Sequence, residues 1–369
     1  MVRMRWSLVP VLIACCFAAT PGNGPTPYPF SRSIGFPEMP VSATNPVTVE
    51  GARLGRYLFY DPSLSADGRL ACAGCHRQEH AFSDSPERFS TGVNGARMVR
   101  NTMPLFNLAW YPAMFWDGRA VSIEAQITSP VQAHDEMDMQ WPEACARIRR
   151  KPIYGKLFTE AFGDDGVDSA RITMALAQFL RTLISDRSKY DRVLAGEEYF
   201  TAQEYAGYVL VNDQTKGACL HCHTTDSDAL GTTRRFSNNG LDAVSDPAAY
   251  ADPGRGAATG MAKDNGLFMV PSLRNVALTA PYMHDGRFQT LEQVLDFYGE
   301  GVRSCANLDP KMEFTRAGGT SLTAEEKRSI IAFLHTLSDS AFVTDPQFSD
   351  PFAAEGMRTG QRNDRNMRP

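Results

Sequence analysis

Apolar residues recur at helical spacing in several stretches of this chain, and sustained strand-like alternation is scarce. Residues 169–184 carry Ile172, Leu176, Phe179, Leu180 and Leu183 on one face. Near the end, Thr323-x-x-Glu326 reads as a capping box for a helix with Ile330, Ile331, Leu334 and Leu337 on one side. Thr201-x-x-Glu204 starts a second such helix over residues 202–211, and residues 47–59 read as another. Residues 224–266 are rich in Gly, Asp, Asn, Ser and Thr and are expected to form a long loop. Residues 340–369 look irregular; either they wrap back over the first part of the chain or the last stretch is disordered. The fold class expected is mainly α.

Two pentapeptides sit just beyond two of these helices. They are Cys72-Ala-Gly-Cys75-His76 and Cys219-Leu-His-Cys222-His223. Cys-x-x-Cys-His is the spacing of c-type haem attachment, with two thioether bonds and the adjacent imidazole on the iron. Zinc would want further Cys or His ligands nearby, and a thioredoxin-like site has no use for a His after both pairs. Two covalent haems are expected, one in each half. The eight cysteines then divide into two near the N-terminus, four on haems, and Cys145 and Cys305, read as free thiols with pairing as the alternative.

Each motif is followed by a similar pattern. Trp116-Asp-Gly-Arg119 precedes Ser122-Ile-Glu-Ala-Gln126, and His284-Asp-Gly-Arg287 precedes Thr290-Leu-Glu-Gln-Val294. Asn107 and Asn275 fall at matching places before these turns. This is an internal repeat of haem motif, loop, Asp-Gly-Arg turn and short helix.

A basic start (Arg3, Arg5), an apolar run over residues 8–19 and then Pro21, Gly22, Gly24, Pro25 and Pro27 read as an export signal, too short to span a bilayer. Leu12-Ile-Ala-Cys15 also resembles a lipoprotein processing site, which would give a lipid anchor; an ordinary signal peptide is the alternative. The organisation expected is a signal peptide at 1–20, a Pro/Gly-rich tether at 21–33, one haem domain at 34–195, a second at 196–340, and an extension at 341–369 that packs on the first domain. The compartment expected is the periplasm. A net charge of -5, with 21% charged residues, gives no reason to expect nucleic acid.

The run Phe115-Trp-Asp-Gly-Arg119 with Gln126, Pro130 and Glu136, and the run Ala280-Pro-Tyr-Met-His-Asp-Gly-Arg287, resemble the bacterial di-haem cytochrome c peroxidase/MauG family, over residues 34–337. The resemblance implies two cytochrome c-like helical domains related by a pseudo-twofold, with calcium between the haems, and dimers are common in that family. It implies a peroxidatic first haem with His76 proximal, Glu136 as distal acid/base, and Gln126 and Pro130 lining the pocket. Trp116 matches the tryptophan that relays electrons between the haems. Asn101, Thr279 and Pro281 match the calcium ligands. His80, four residues after His76, reads as structural.

The second haem would have His223 proximal. Its other ligand separates two branches of the family, Met in ordinary members and Tyr in the MauG type. Tyr298, just before Gly299, which reads as the end of its helix, takes that place here, with Met283 and Met269 as competitors. Ordinary peroxidases of the family carry a capping His after the first haem, and residues 83–110 contain none. The first haem is therefore expected to be open without reductive activation. The function expected is peroxide reduction with electrons from a small cytochrome c or cupredoxin. The alternatives are MauG-like long-range oxidation of a protein or small molecule and, in another class, a non-catalytic di-haem electron carrier.

Overall fold

The structure is a computed structural model describing residues 24–225 and 228–354. The expected signal peptide, with Cys15, lies outside the described residues. The helices in chain order are α1 (Val49–Tyr60), α2 (Cys72–Cys75), α3 (Ile123–Gln132), α4 (Trp141–Arg149), α5 (Pro152–Phe162), α6 (Ser169–Thr182), α7 (Lys189–Leu194) and α8 (Ala202–Asn212). Then come α9 (Arg255–Thr259), α10 (Leu291–Asp296), α11 (Met312–Phe314), α12 (Ala324–Thr336), α13 (Ser340–Thr344) and α14 (Pro351–Ala354). One antiparallel pair, β1 (Phe236–Ser237) and β2 (Phe268–Met269), sets Phe236 opposite Met269. The protein is mainly helical.

Two hydrophobic cores form. The first gathers Leu54, Leu58 and Phe59 of α1 against Ile172, Leu176 and Phe179 of α6. The second gathers Val211 of α8, Leu291 and Leu295 of α10, and Ile330, Phe333 and Leu334 of α12. Each fully buried side chain of this size contributes about 1.5–3 kcal/mol. The caps expected at Thr201 and Thr323 are full capping boxes, with Glu204 and Glu326 reaching back to the cap N–H groups.

Both helix pairs cross closely, and a glycine makes each crossing possible. A Cβ on Gly55 would lie 1.9 Å from the Ala175 carbonyl oxygen, and one on Gly207 would lie 1.9 Å from that of Ser329. Gly207→Val is therefore expected to lower stability by about 1–3 kcal/mol or more through overpacking, read as a lower melting temperature. An unchanged melt would refute the close crossing.

The turns that follow are also duplicated. Asn107 and Asn275 adopt φ of 55° and 56°, a left-handed conformation that Asn tolerates. The Asn107 N–H reaches the Leu183 carbonyl at 2.9 Å, while its side-chain oxygen accepts from the Ser185 N–H at 2.9 Å. Asn275 repeats this with the Leu337 carbonyl at 3.0 Å and the Asp339 N–H at 2.8 Å. Each Asn thereby ties its turn to the end of α6 or α12. The two anchors meet where Asn275 Nδ2 donates to Ser185 Oγ at 2.9 Å.

Three details depart from expectation. Within the stretch read as a tether, Thr26 and Tyr28 hydrogen-bond to the segment that starts α1, so that part does not hang free. The loop at 224–266 contains β1 and α9. Gly299 does not end the helix that carries Tyr298: α10 widens into one π turn, Phe297–Gly301, whose Tyr298 carbonyl accepts from Thr320 Oγ1 at 2.6 Å.

After α12 the chain crosses back to the first core. Phe342 is fully buried against Phe82 and Phe106, and Phe348 packs on Phe342. Arg56 of α1 donates to the carbonyls of Ser349 at 2.6 Å and Pro346 at 2.7 Å.

Candidate functional site

The first motif is a single helical turn, α2, that ends at His76. The His76 Nδ1–H donates to the Phe82 carbonyl at 2.8 Å. That bond fixes the tautomer and leaves Nε2 with its lone pair, as a metal ligand requires. Burial pushes the imidazole down to about 4, so it is neutral at neutral pH, and pushes the Cys72 thiol up to about 12.

His76, Cys72 and Cys75 are partly exposed only because they line a cavity. The space is about 760 Å³, partly open to solvent, and its other walls include Phe59, Leu70, Gln126, Pro130, Glu136 and Met137. A larger, solvent-open space of about 2040 Å³ shares His76, Gln126, Pro130 and Glu136 and runs past Trp116 and Arg119 to Ser272. Thiols and imidazole on the wall of an apolar slot form a donor set that fits a covalently held planar group.

Helix α3 presents Gln126 and Pro130 together, four residues apart on one face. Ser122 Oγ caps it by accepting from the Ala125 N–H at 3.1 Å. The turn after α3 carries Glu136, whose carbonyl accepts from the Val93 N–H at 2.8 Å. Gly92 makes this approach possible, because a Cβ there would lie 2.0 Å from the Asp135 carbonyl oxygen. Burial, with Asp135 beside it, raises the Glu136 carboxyl above its usual range, against the pull of Arg119. Among the described residues no protein hydrogen bond engages that carboxylate.

The structure thus brings Glu136, Gln126, Pro130 and His76 to one cavity. It adds Met98, Ser90 and Thr102, which the sequence reading did not single out. His80 lies in the turn after His76 and is not part of the walls of this cavity.

Trp116 joins the two halves. It is 9% exposed, and its indole N–H donates to the Asn101 carbonyl at 2.9 Å. Its own carbonyl accepts from the Met269 N–H at 2.8 Å. Arg100 holds the next residue, Asp117, at 2.6 Å and pairs with Asp252 at 2.7 Å. Phe268 and His284 stack beside them with ring centroids 3.6 Å apart.

Asn101 donates its backbone N–H to the His284 carbonyl at 2.7 Å and its Nδ2 to the Arg88 carbonyl at 3.1 Å. Pro281 and Arg88 both flank Gly286. Among the described residues no protein donor reaches Asn101 Oδ1 or the carbonyls of Thr279 and Pro281. Such spare oxygens suit a hard cation.

The second motif forms a turn at Cys219–His221. The His223 Nδ1–H donates to the Gly231 carbonyl at 3.3 Å, and burial pushes this imidazole to about 4 as well. The Cys219 thiol is pushed up to about 12 by burial and by Cys222. The Tyr298 phenol is pushed to about 12 by burial, against the Asn239 amide, with Cys222 and Cys219 acting in the same direction as burial. Asn239 Nδ2 lies 3.4 Å from Tyr298 Oη and 3.5 Å from Met283 Sδ. One amide therefore holds both candidate ligand atoms together beside the second thiol pair. Met269 is core, 1% exposed, in β2. Cys145 packs in the first core, Cys305 lies near β1, and both are free thiols.

Comparison with known proteins gives these geometries a family. Residues 49–199 match the model described as di-haem cytochrome c peroxidase. The methylamine utilization protein MauG of Methylorubrum extorquens is 37% identical over 84% of this chain and 84% of its own length. The cytochrome c551 peroxidase of Nitrosomonas europaea is 33% identical over 82% of this chain and 84% of its own. A crystal structure of a MauG-like protein associated with microbial copper homeostasis superposes with a TM-score of 0.81 at 34% identity, covering 88% of this chain and 99% of that one. With likeness of this depth running from the first motif through the second, the chain belongs to the di-haem cytochrome c peroxidase and MauG family.

Proposed function

We propose that this protein is a di-haem c-type oxidoreductase that reduces hydrogen peroxide to water with electrons from a small redox protein. The observation that carries the reading is the cavity lined together by His76, both thiols of its motif, Gln126, Pro130 and Glu136. Haem, when bound, supplies the iron-centred electron transfer that peroxide reduction requires. His76, held by Phe82, is its ligand in the first unit, and Cys72 and Cys75 attach it. His223, Cys219 and Cys222 do the same in the second. The repeated Asn turns and glycine crossings support two like domains, 34–195 and 196–340, related by a pseudo-twofold with one haem each.

Glu136 takes a proton from one peroxide oxygen and returns it to the other, as a positioned carboxylate can. Gln126 and Pro130 shape the wall of the same cavity. Trp116, bonded to both halves, passes electrons between them. Asn101 Oδ1 and the carbonyls of Thr279 and Pro281 would hold a calcium ion near that junction. The periplasm fits Cys-x-x-Cys-His chemistry and an export leader.

A second reading is MauG-like oxidation of a protein or small molecule at a distance. The placement of Tyr298 beside Cys219 and Cys222 favours it, because a phenolate ligand stabilises the more oxidised states. Optical and electron paramagnetic spectra of the ferric protein, before and after one equivalent of peroxide, test both readings. The result expected is one high-spin and one low-spin centre with no Met-to-iron charge-transfer band, reacting without prior reduction. Tyr298→Phe should change the low-spin signal, and Met283→Leu should leave it in place. The reverse pattern would move the protein to the ordinary peroxidase branch. Two low-spin centres silent to peroxide would make it an electron carrier.

A further inference from the structure

Next to the second centre lies a group of side chains with no part in the reaction described above. Asn238, 4% exposed, is its hub. Asn238 Nδ2 donates to Tyr250 Oη at 2.8 Å, and Cys305 Sγ donates to Asn238 Oδ1 at 3.6 Å. The Tyr250 hydroxyl donates to the carbonyl of Ala306, the residue after Cys305, at 2.5 Å. Phenol and thiol therefore share one amide and one short length of chain. Burial raises the phenol, and the Cys305 thiol acts in the same direction.

The pair is held firmly. A Cβ on Gly266 would lie 2.6 Å from Tyr250 Cζ, so the ring packs directly on bare backbone there. The segment carrying Cys305 is laced to the residues just after β1, which include Asn238. Arg303 N–H reaches the Gly240 carbonyl at 2.8 Å, and Asp309 N–H reaches the Asn238 carbonyl at 3.0 Å. The neighbouring residue, Asn239, is the one whose amide meets Tyr298 and Met283. An oxidisable thiol and an oxidisable phenol thus bond to the same amide, one residue away from the second redox centre.

We propose that Cys305 and Tyr250 become joined by a thioether, from Sγ to the ring carbon beside the phenol oxygen, made by the protein's own peroxide chemistry. The bonds broken are S–H and one ring C–H, and the bond formed is S–C. The two side chains lose two electrons and two protons. One hydrogen peroxide takes up both, so that thiol, phenol ring and peroxide give the thioether and two waters. Close confinement favours this outcome over the ladder of sulfur oxyacids that a more accessible oxidised thiol follows. The link would fasten the 303–306 segment to Asn238 and Asn239, just after β1, and so fix the amide that meets Tyr298.

This inference rests on the peroxide reading. The test uses the haem-loaded protein, with peroxide consumption followed in the same sample. After turnover the protein is alkylated with iodoacetamide and digested with trypsin, and the peptides spanning 236–255 and 304–311 are sought by mass spectrometry. The result expected is one linked pair lighter than the sum of its parts by two hydrogens, with Cys305 closed to alkylation. Cys305→Ser and Tyr250→Phe should each release both peptides while peroxide is still consumed. Peroxide consumption with Cys305 still alkylated, linked elsewhere, or carrying added oxygen overturns the proposal alone. If peroxide is not consumed, the underlying reading falls and the proposal with it.

Discussion

Glu136→Gln is expected to slow peroxide turnover by about 10²–10⁴-fold, the usual contribution of a positioned acid/base. The amide keeps the shape and hydrogen-bonding edge of the carboxyl but cannot take a proton. Folding should be unaffected, because among the described residues no hydrogen bond depends on the Glu136 carboxylate. The wild type should also show a rising limb of activity with pH. Its midpoint should lie above the ordinary carboxylate range, because burial and Asp135 favour the protonated form over the ionised form that begins the reaction. Steady-state rates across pH, with haem content matched between proteins, check both points. A Glu136→Gln protein that retains the wild-type rate and its rising limb would remove Glu136 from the mechanism.

Arg274→Met is expected to cost about 3–5 kcal/mol of stability, the penalty for leaving one member of a buried ion pair alone. Arg274 is 1% exposed and holds both oxygens of Asp191, at 2.9 Å and 2.5 Å. It also donates to the carbonyls of Ala229 and Ser185, and its guanidinium lies 4.6 Å from the centre of the Phe36 ring. One side chain therefore ties α7, the turn after the second motif and the end of α6 together. Burial alone would raise the Asp191 carboxyl, but the guanidinium and Ser188 hold it below its usual value. A depressed carboxyl gives stability that is complete above its unfolded value of about 3.9. That stability is lost as pH falls through the lower folded value. In the Met variant the carboxyl is buried without its partner and protonates more readily. The gap between the two proteins should therefore be widest near neutral pH and narrow on acidification. Denaturant melts at neutral pH and near pH 4 measure this, and a constant gap would show that lost packing, rather than lost charge, sets the cost.

The parts of this protein that could be read from its sequence are those that depend on near neighbours. A capping box spans four residues, so Thr201/Glu204 and Thr323/Glu326 announce α8 and α12 without help from the rest of the chain. Cys-x-x-Cys-His is local in the same sense. The pairing of Gln126 and Pro130 with Glu136 comes from the family resemblance, and the structure sets all three on one helix and the turn after it. The parts that stayed hidden need distant partners. Gly55 and Gly207 read as weak points inside helices until α6 and α12 are laid across them. Asn107 and Asn275 stand out as a repeat, but their task appears only when the ends of α6 and α12 come to meet them. Met98 joins the first cavity because its hairpin is pinned to the Glu136 backbone. Asn239, Tyr250 and Cys305 carry no periodic signal, and the first two sit in the stretch that reads as loop.

The return of the chain from α12 to the first core sets an order of events during synthesis. Phe342 and Phe348 are among the last residues described, yet they complete the wall that Phe82, Phe106 and α1 begin. A domain that folds as it is made normally has its whole core behind it. Here the first core keeps an open side until the segment after α12 has arrived. A nascent chain stopped after residue 195 would expose the faces of Phe82 and Phe106 to any chaperone present. Of the two halves, the one made first is the one finished last.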